Sequence, residues 1–446
     1  MISKPRLLDL FSGAGGLSVG FEAAGYQIAA GIDFMPEAVK TFEANHAGAK
    51  GLVADLRNAP LSQIEEVCGG SIDVLVGGPS CQGFSTAGGL SKQAGREEFD
   101  PRNALFREYV RIVDHLRPSW IVFENVPGLL LYRHGTIAMG IVAALREIGY
   151  NVVPMILLAA DYGVPQLRRR LFFVGNRLGS DIHFPVPTHG NSELWQNYSL
   201  PFAHLSRLSS SSQTILPHVT FAEACGDLLQ IEAGDHPLAI PYASSAKSKY
   251  QKLMRGRQKK VKQHWASKLA DLDLYAATHL KPGENWRALL DHGVLPPRFA
   301  KIRPYDATTM LRRLQNDRPA YTITTKFDEG TTGAFIHPDQ PRTLSLREAA
   351  RLQSFPDSFV FEGSFPRIRT QIGNAVPPLL AQALAESIKP SVVRDVFGER
   401  IEPIRETVEI SAKLTEAEIL QLKSVGKRPH ERKSRGVSLQ EELSFI

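Results

Sequence analysis

Six short apolar runs, spaced so that a helix fits between most neighbours, constrain this chain more than any other feature. They are "RLLDLF" (6–11), "QIAAGID" (27–33), "IDVLVGG" (72–78), "SWIVFEN" (119–125), "NVVPMILLA" (151–159) and "RLFFVGN" (170–176). Between them lie helical stretches such as "PEAVKTFEANH" (36–46), with Pro36 in its first turn, and "NALFREYVRIVDHL" (103–116), apolar at helical spacing. Strands alternating with helices over about 175 residues predict an α/β, doubly wound, Rossmann-like sheet. Ligands of such sheets gather at the carboxyl ends of the strands, so residues just after each run are the candidates for chemistry.

After the first run, "DLFSGAGGLSVGFEAAG" places glycines where a cofactor can approach the backbone and a helix N-terminus. A dinucleotide fingerprint would need glycine at position 18, and Ser18 stands there. Asp33 closes the second run and is placed to bind ribose hydroxyls; Asp55, in "VADLR", is placed to accept from an adenine amino group. Acids at successive strand ends, without a pyrophosphate loop, point to a nucleoside cofactor such as S-adenosylmethionine.

The third run leads into "GGPSCQGFS" (77–85), where Cys81 has glycine, proline and small polar neighbours. That is loop chemistry rather than core chemistry, and glycine-loop N–H groups favour a reactive thiolate. Glu124 ends the fourth run, where desolvation would let it hold a proton near neutrality. "GVPQLRRRLFFVG" sets Arg168, Arg169 and Arg170 before the last run, placed to clamp an anion or a base carbonyl, although a charged strand cap suits Arg169 better.

These residues together carry a resemblance. The chain resembles the DNA cytosine-5 methyltransferase family of bacterial restriction–modification systems, in motif order as well as content. "DLFSGAGG" is similar to the cofactor loop, "GGPSCQGFS" to the nucleophile loop, and "DPRNALF" (100–106) to the segment after it. "FENV" and "QLRRR" resemble the base-binding elements, and "RTLSLREAARLQSFP" (342–356) and "QIGNAVPP" (371–378) the two last motifs. The matches cover roughly residues 6–176 and 342–389.

The resemblance implies that Cys81 attacks C6 of a cytosine flipped out of duplex DNA. Glu124 would hold N3 and the amino group, Arg170 would bind O2, and Arg168 would support the phosphate or the active loop. Phe11, Gly13, Gly15, Gly16 and Leu17 would line the S-adenosylmethionine site, with Asp33 on its ribose, Phe34 stacked on its adenine, and Asp55 and Leu56 at the adenine edge. Leu105, Asn374 and Val376 would complete that pocket. The stretch Ser85–Arg102 is a candidate lid over DNA. Ser80 stands where the family usually has proline, which predicts retained activity with looser positioning of Cys81.

The organisation that follows is a catalytic part at 1–178, a smaller, irregular target-recognition domain at 179–341, a returning catalytic part at 342–389 and an extension at 390–446. In the second region Lys247–Lys268 holds nine Lys/Arg and no Asp/Glu, as a phosphate-binding surface should. Lys259, Lys260 and Lys262 are candidate DNA contacts, as are Gln82 and Ser85 of the nucleophile loop and Thr322 and Thr324 of "RPAYTITTKF" (318–327). A formal net charge of +6 agrees with a polyanionic partner. Cys68, Cys81 and Cys225 match no zinc spacing, so no metal is expected. Leu7 to Ile32 is broken by Asp9, Glu22 and glycines, and the N-terminus has no signal-like apolar segment, so a cytoplasmic, nucleoid-associated protein without a membrane span is expected. We expect a monomer acting on double-stranded DNA, either solitary or with a separately encoded cognate restriction endonuclease. A tRNA cytosine-5 methyltransferase on the same core and a catalytically inactive DNA-binding regulator are the competing readings.

Overall fold

The computed structural model describes residues 4–79, 105–131, 136–190, 215–303, 306–401 and 407–410. They group into two compact units. Among the described residues, one holds those within 4–162, 169–216 and 378–410, the other those within 163–168 and 217–377.

In chain order the strands are β1 (Arg6–Leu10), β2 (Gln27–Asp33), β3 (Lys50–Val53), β4 (Val74–Gly77), β5 (Trp120–Asn125), β6 (Asn151–Leu158), β7 (Gln166–Leu167), β8 (Arg169–Asn176) and β9 (Ile182–Pro185). The first unit is built on a seven-stranded sheet of order β3-β2-β1-β4-β5-β8-β6. Neighbours from β3 to β5 are parallel, and β8 runs antiparallel to both β5 and β6. Helices α1 (Gly16–Ala23), α2 (Pro36–Asn45), α3 (Leu61–Cys68) and α4 (Leu105–Leu116) supply the crossovers. The central strands read as continuous apolar runs because helices cover both faces; every residue of β4 is buried. In α4 the buried set Tyr109, Ile112 and Val113 follows the i, i+3, i+4 stripe expected of it.

The strand order reverses between β1 and β4, which pair Leu10 with Gly77 at their carboxyl ends. That is the topological switch point, and it is where a doubly wound sheet leaves a crevice. The glycine turn after β1 and the "GGP" segment after β4 both leave the sheet there.

The long helix Pro378–Phe397 packs on α1. A Cβ on Gly20 would come within 2.5 Å of Ala381 Cβ, Gln382 N and Pro378 O, so the two helices touch backbone to backbone at this glycine. Lys389 Nζ donates to Ala24 O, and Tyr26 Oη to Ala385 O. The helix runs through the expected boundary at residue 389 and through Pro390. Thr407–Ile410 then pairs antiparallel with β9, so part of the expected extension belongs to this unit.

The second unit is irregular, as anticipated, with short helices and two-residue to three-residue ribbons. It also contains residues 342–377, which were expected to return to the catalytic part. The physical reason lies in the helix Leu346–Leu352, in which every residue is buried. Its charges are satisfied within this unit. Glu348 takes both guanidinium nitrogens of Arg342 at 2.8 and 2.7 Å, and Arg351 pairs with Asp227 and Asp357. Arg347 donates to the carbonyls of Lys262 and Phe359. Separating this helix from these partners would leave buried charges unpaired, a cost of several kcal/mol per ion pair.

Candidate active site

The glycine turn is shaped by left-handed backbone. Phe11, Gly13 and Gly15 have φ of 57°, 53° and 85°, so the strand stops at Leu10, one residue short of the expected run. A side chain on Gly15 would also meet His46 Nε2 at 2.7 Å, whereas the space beside Gly13 is open. Asp33, buried at the end of β2, ties this turn down. One of its carboxylate oxygens accepts from Gly13 N and the other from Met35 N, both at 2.9 Å. Burial pushes its carboxyl above the usual range, against these N–H bonds. Each oxygen keeps a lone pair for a ribose diol. The next residue, Phe34, is 68% exposed, a large ring with no cover beside a ribose acceptor. An open glycine edge, a diol acceptor and an uncovered aromatic face suit a nucleoside cofactor.

One residue of this site escaped the sequence reading. Asp9, in β1, is buried; Ser18 Oγ donates to its Oδ2 at 2.7 Å, and its Oδ1 has no hydrogen-bond partner among the described residues. Burial raises its pKa to about 7. The signal was Ser18 itself, the residue that departs from the dinucleotide pattern and that holds the acid.

Asp55 and Leu56 are more constrained than expected. Asp55 lies two residues beyond β3, where Arg57 engages both its oxygens and holds its carboxyl below the usual range. Leu56 is 2% exposed, and its carbonyl accepts from Arg111 Nη2 at 3.1 Å. Leu105, half-buried, opens α4. Gly16 and Leu17 are buried in the first turn of α1.

At the end of β5, Glu124 Oε1 and Arg170 Nε lie 2.8 Å apart, with both side chains more than four-fifths buried. Arg170 follows the first residue of β8, which lies beside β5, so the pair is cross-strand. A Cβ on Gly78 would come to 2.7 Å from Glu124 Oε2. The chain therefore leaves β4 directly against this carboxylate, where a side chain at position 78 would displace it. Asn125 Nδ2 donates to Pro79 O at 3.3 Å and fixes the same exit. Ser80, Cys81, Gln82, Ser85 and the expected lid lie outside the described residues.

The remaining candidates belong to the second unit. Arg168 is 1% exposed and donates to the carbonyls of Ile323, Gly373 and Ala375 at 2.7, 3.0 and 3.0 Å. Its guanidinium clamps the "TIT" and "GNA" segments together, and the loop it is expected to support lies outside the described residues. Gly373 serves the same junction, because a side chain there would run into Thr325 N and the Thr324 carbonyl group. Thr324 and Asn374 are exposed on either side of it, and Val376 is buried. Thr322 Oγ1 is turned inward to Leu167 O, unlike Thr324. Lys259, Lys260 and Lys262 are all exposed.

The strand order, the reversed β8, the acid after β2 and the glycine turn after β1 define an S-adenosylmethionine-dependent methyltransferase fold with a smaller appended recognition domain. The model of the C-5 cytosine-specific DNA methylases matches residues 5–390, and the chain belongs to that family. It is 32% identical to the type II methyltransferase M.AgeI of Thalassovita gelatinovora, over 87% of this chain and 100% of that protein. It is 31% identical to M.DdeI of Desulfomicrobium norvegicum, over 86% and 88%. In fold it is similar to the crystal structure of Schizosaccharomyces pombe Dnmt2 methyltransferase, with a TM-score of 0.52 and 16% identity over 87% of this chain and 99% of that one. The protein is thus a DNA cytosine-5 methyltransferase. Among the described residues no cluster of His, Cys, Asp or Glu could hold a metal, and no helix is long and apolar enough to cross a membrane.

Proposed function

We propose that this enzyme methylates C5 of one cytosine in a specific duplex sequence, after flipping it out of the helix, through a bond between Cys81 Sγ and C6. The observation that carries the reading is the Glu124–Arg170 pair against Gly78, beside the exit of the Cys81 loop. Bound S-adenosylmethionine supplies an electrophilic methyl group. Asp33 and Phe34 would hold its nucleoside, with Asp55 and Leu56 at the adenine edge.

Cys81 as thiolate adds to C6, and the electrons displaced from the 5,6 double bond make C5 nucleophilic. Glu124 binds N3 and the exocyclic amino group and protonates N3 as charge builds, while Arg170 holds O2. After methyl transfer a base removes the C5 proton, Glu124 takes back the N3 proton, the 5,6 double bond re-forms and Cys81 leaves as thiolate. Arg168 acts at one remove, by fixing the Thr324 and Asn374 segments. We assign target recognition to the second unit between residues 217 and 341. The type II relatives suggest pairing with a restriction endonuclease of the same site specificity.

The test is methyl transfer from labelled cofactor to duplex DNA, with bisulfite mapping of the site and trapping on 5-fluorocytosine duplex. Cys81→Ala should abolish transfer and trapping while cofactor binding survives. Transfer to tRNA but not to duplex DNA, or undiminished transfer by Cys81→Ala, would refute the proposal.

A further inference from the structure

The basic tract of the second unit resolves into side chains of different use. Arg255 is engaged by Asp227 at 2.6 Å and lies over the Tyr242 ring, so it serves the interior. Lys260 and Lys262 belong instead to a two-stranded antiparallel ribbon, Ala239–Pro241 with Lys260–Lys262. Its register pairs Ala239 with Lys262, Ile240 with Val261 and Pro241 with Lys260. Val261 is 1% exposed and packs inward, while Ala239, Pro241 and both lysines face solvent. Strand alternation therefore puts Lys260 and Lys262 on one face, their backbones about 7 Å apart along the strand, with the small Ala239 and the cyclic Pro241 opposite them on the partner strand.

Leu238, the residue before this ribbon's first strand, is 89% exposed, the most exposed large apolar side chain among the described residues. Its approach is pinned. Trp265 Nε1 donates to Pro237 O at 2.8 Å, and the His236 ring stacks between Trp265 and Phe365 at 5.5 and 5.6 Å. The neighbouring acid Asp235 is turned back onto Glu232 N within its own turn. A held, uncovered leucine next to a cationic ribbon matches a polyanion that also offers apolar edges. Duplex DNA does so, through phosphates on its backbone and methyl and sugar groups in its grooves.

We infer that this ribbon is a duplex-contacting element, in which Lys260 and Lys262 each neutralise a phosphate and Leu238 makes an apolar contact in the adjoining groove. The inference rests on the DNA-methylating reading above and adds which residues grip the duplex and how.

Counterion release makes the two roles separable. Binding is measured against salt concentration on the duplex that the enzyme methylates and on a scrambled duplex. Replacing both lysines by alanine should lower the slope of log K against log[salt] by about 1.8, that is about 0.9 per lost phosphate contact. The advantage of the unaltered protein should then shrink about twelvefold between roughly 50 and 200 mM salt. Leu238→Ala should leave the slope unchanged and weaken the methylated duplex about tenfold more than the scrambled one. The exposed pair Lys281 and Lys301, changed together to alanine, should leave the slope unaltered. An unchanged slope in the ribbon variant, or an equal fall in the Lys281/Lys301 variant, would overturn the inference. Methyl transfer to DNA with an unchanged slope would sink the ribbon alone, whereas a lowered slope with no methyl transfer to any duplex would sink the functional reading alone.

Discussion

Asp9→Asn should stabilise the cofactor-free protein, and by an amount that grows with pH. The carboxyl is buried, has Ser18 as its hydrogen-bond donor, and titrates at about 7 rather than at its ordinary 3.8. Below about pH 4 the folded and unfolded chains both hold this proton, and nothing is lost. Between about 4 and 7 the unfolded chain ionises while the folded one does not, so stability falls by about 1.4 kcal/mol per pH unit. Above about 7 both are ionised and the penalty levels off near 4 kcal/mol. Asparagine carries no charge at any of these pH values and can still bond to Ser18. The stability difference between Asp9→Asn and the unaltered protein should therefore rise by about 3 kcal/mol from about pH 5 to about pH 7.5, then flatten. Urea unfolding of both proteins across that range measures it, and groups common to both cancel in the difference. A difference that stays constant with pH would mean that Asp9 ionises like a solvated acid, and the reasoning from its burial would fail.

Three other substitutions probe separate links. Gly78→Ala should push Glu124 out of place and lower methyl transfer about a hundredfold in a single-turnover assay, with cofactor affinity retained. Arg168→Met leaves three buried carbonyls without their donor; a loss of about 3 kcal/mol or more in thermal unfolding is expected, and a neutral result would restore Arg168 as a candidate for direct contact. Gly373→Ala must displace the Thr324–Thr325 backbone, costing about 1–3 kcal/mol, which the same melting experiment reads.

The parts of this molecule that were legible in the sequence are those governed by local rules. Strand runs ended within a residue or two of the observed strands because parallel central strands need unbroken apolar stretches and their ends need turns. Asp33 and Glu124 were findable because an acid directly after such a run has few reasons to be there. Phe11 shortened β1 by a left-handed φ that no propensity rule assigns to phenylalanine. Arg168 and Arg170 look alike in sequence, and their different fates depend on which carbonyls and carboxylates the fold brings near. Asp9 was passed over because an acid inside a strand shows its environment only once its neighbours are placed. The segment 342–377 was misallotted for a related reason: its motifs speak for chemistry, whereas its unit membership follows from ion pairs with Asp227 and Asp357, the first of them more than a hundred residues upstream of Arg351.

The contact at Gly20 has a consequence for the newly made chain. The glycine turn at residues 11–16 leads into α1, and α1 rests on a helix that is not complete until residue 397. Until then the side of α1 at Gly20 lacks the cover that Pro378 and Ala381 later give it. The glycine turn is thus synthesised well before the helix that braces it. Chains halted before Pro378 should expose this patch to chaperones, and supplying residues 378–397 as a separate peptide should rescue them.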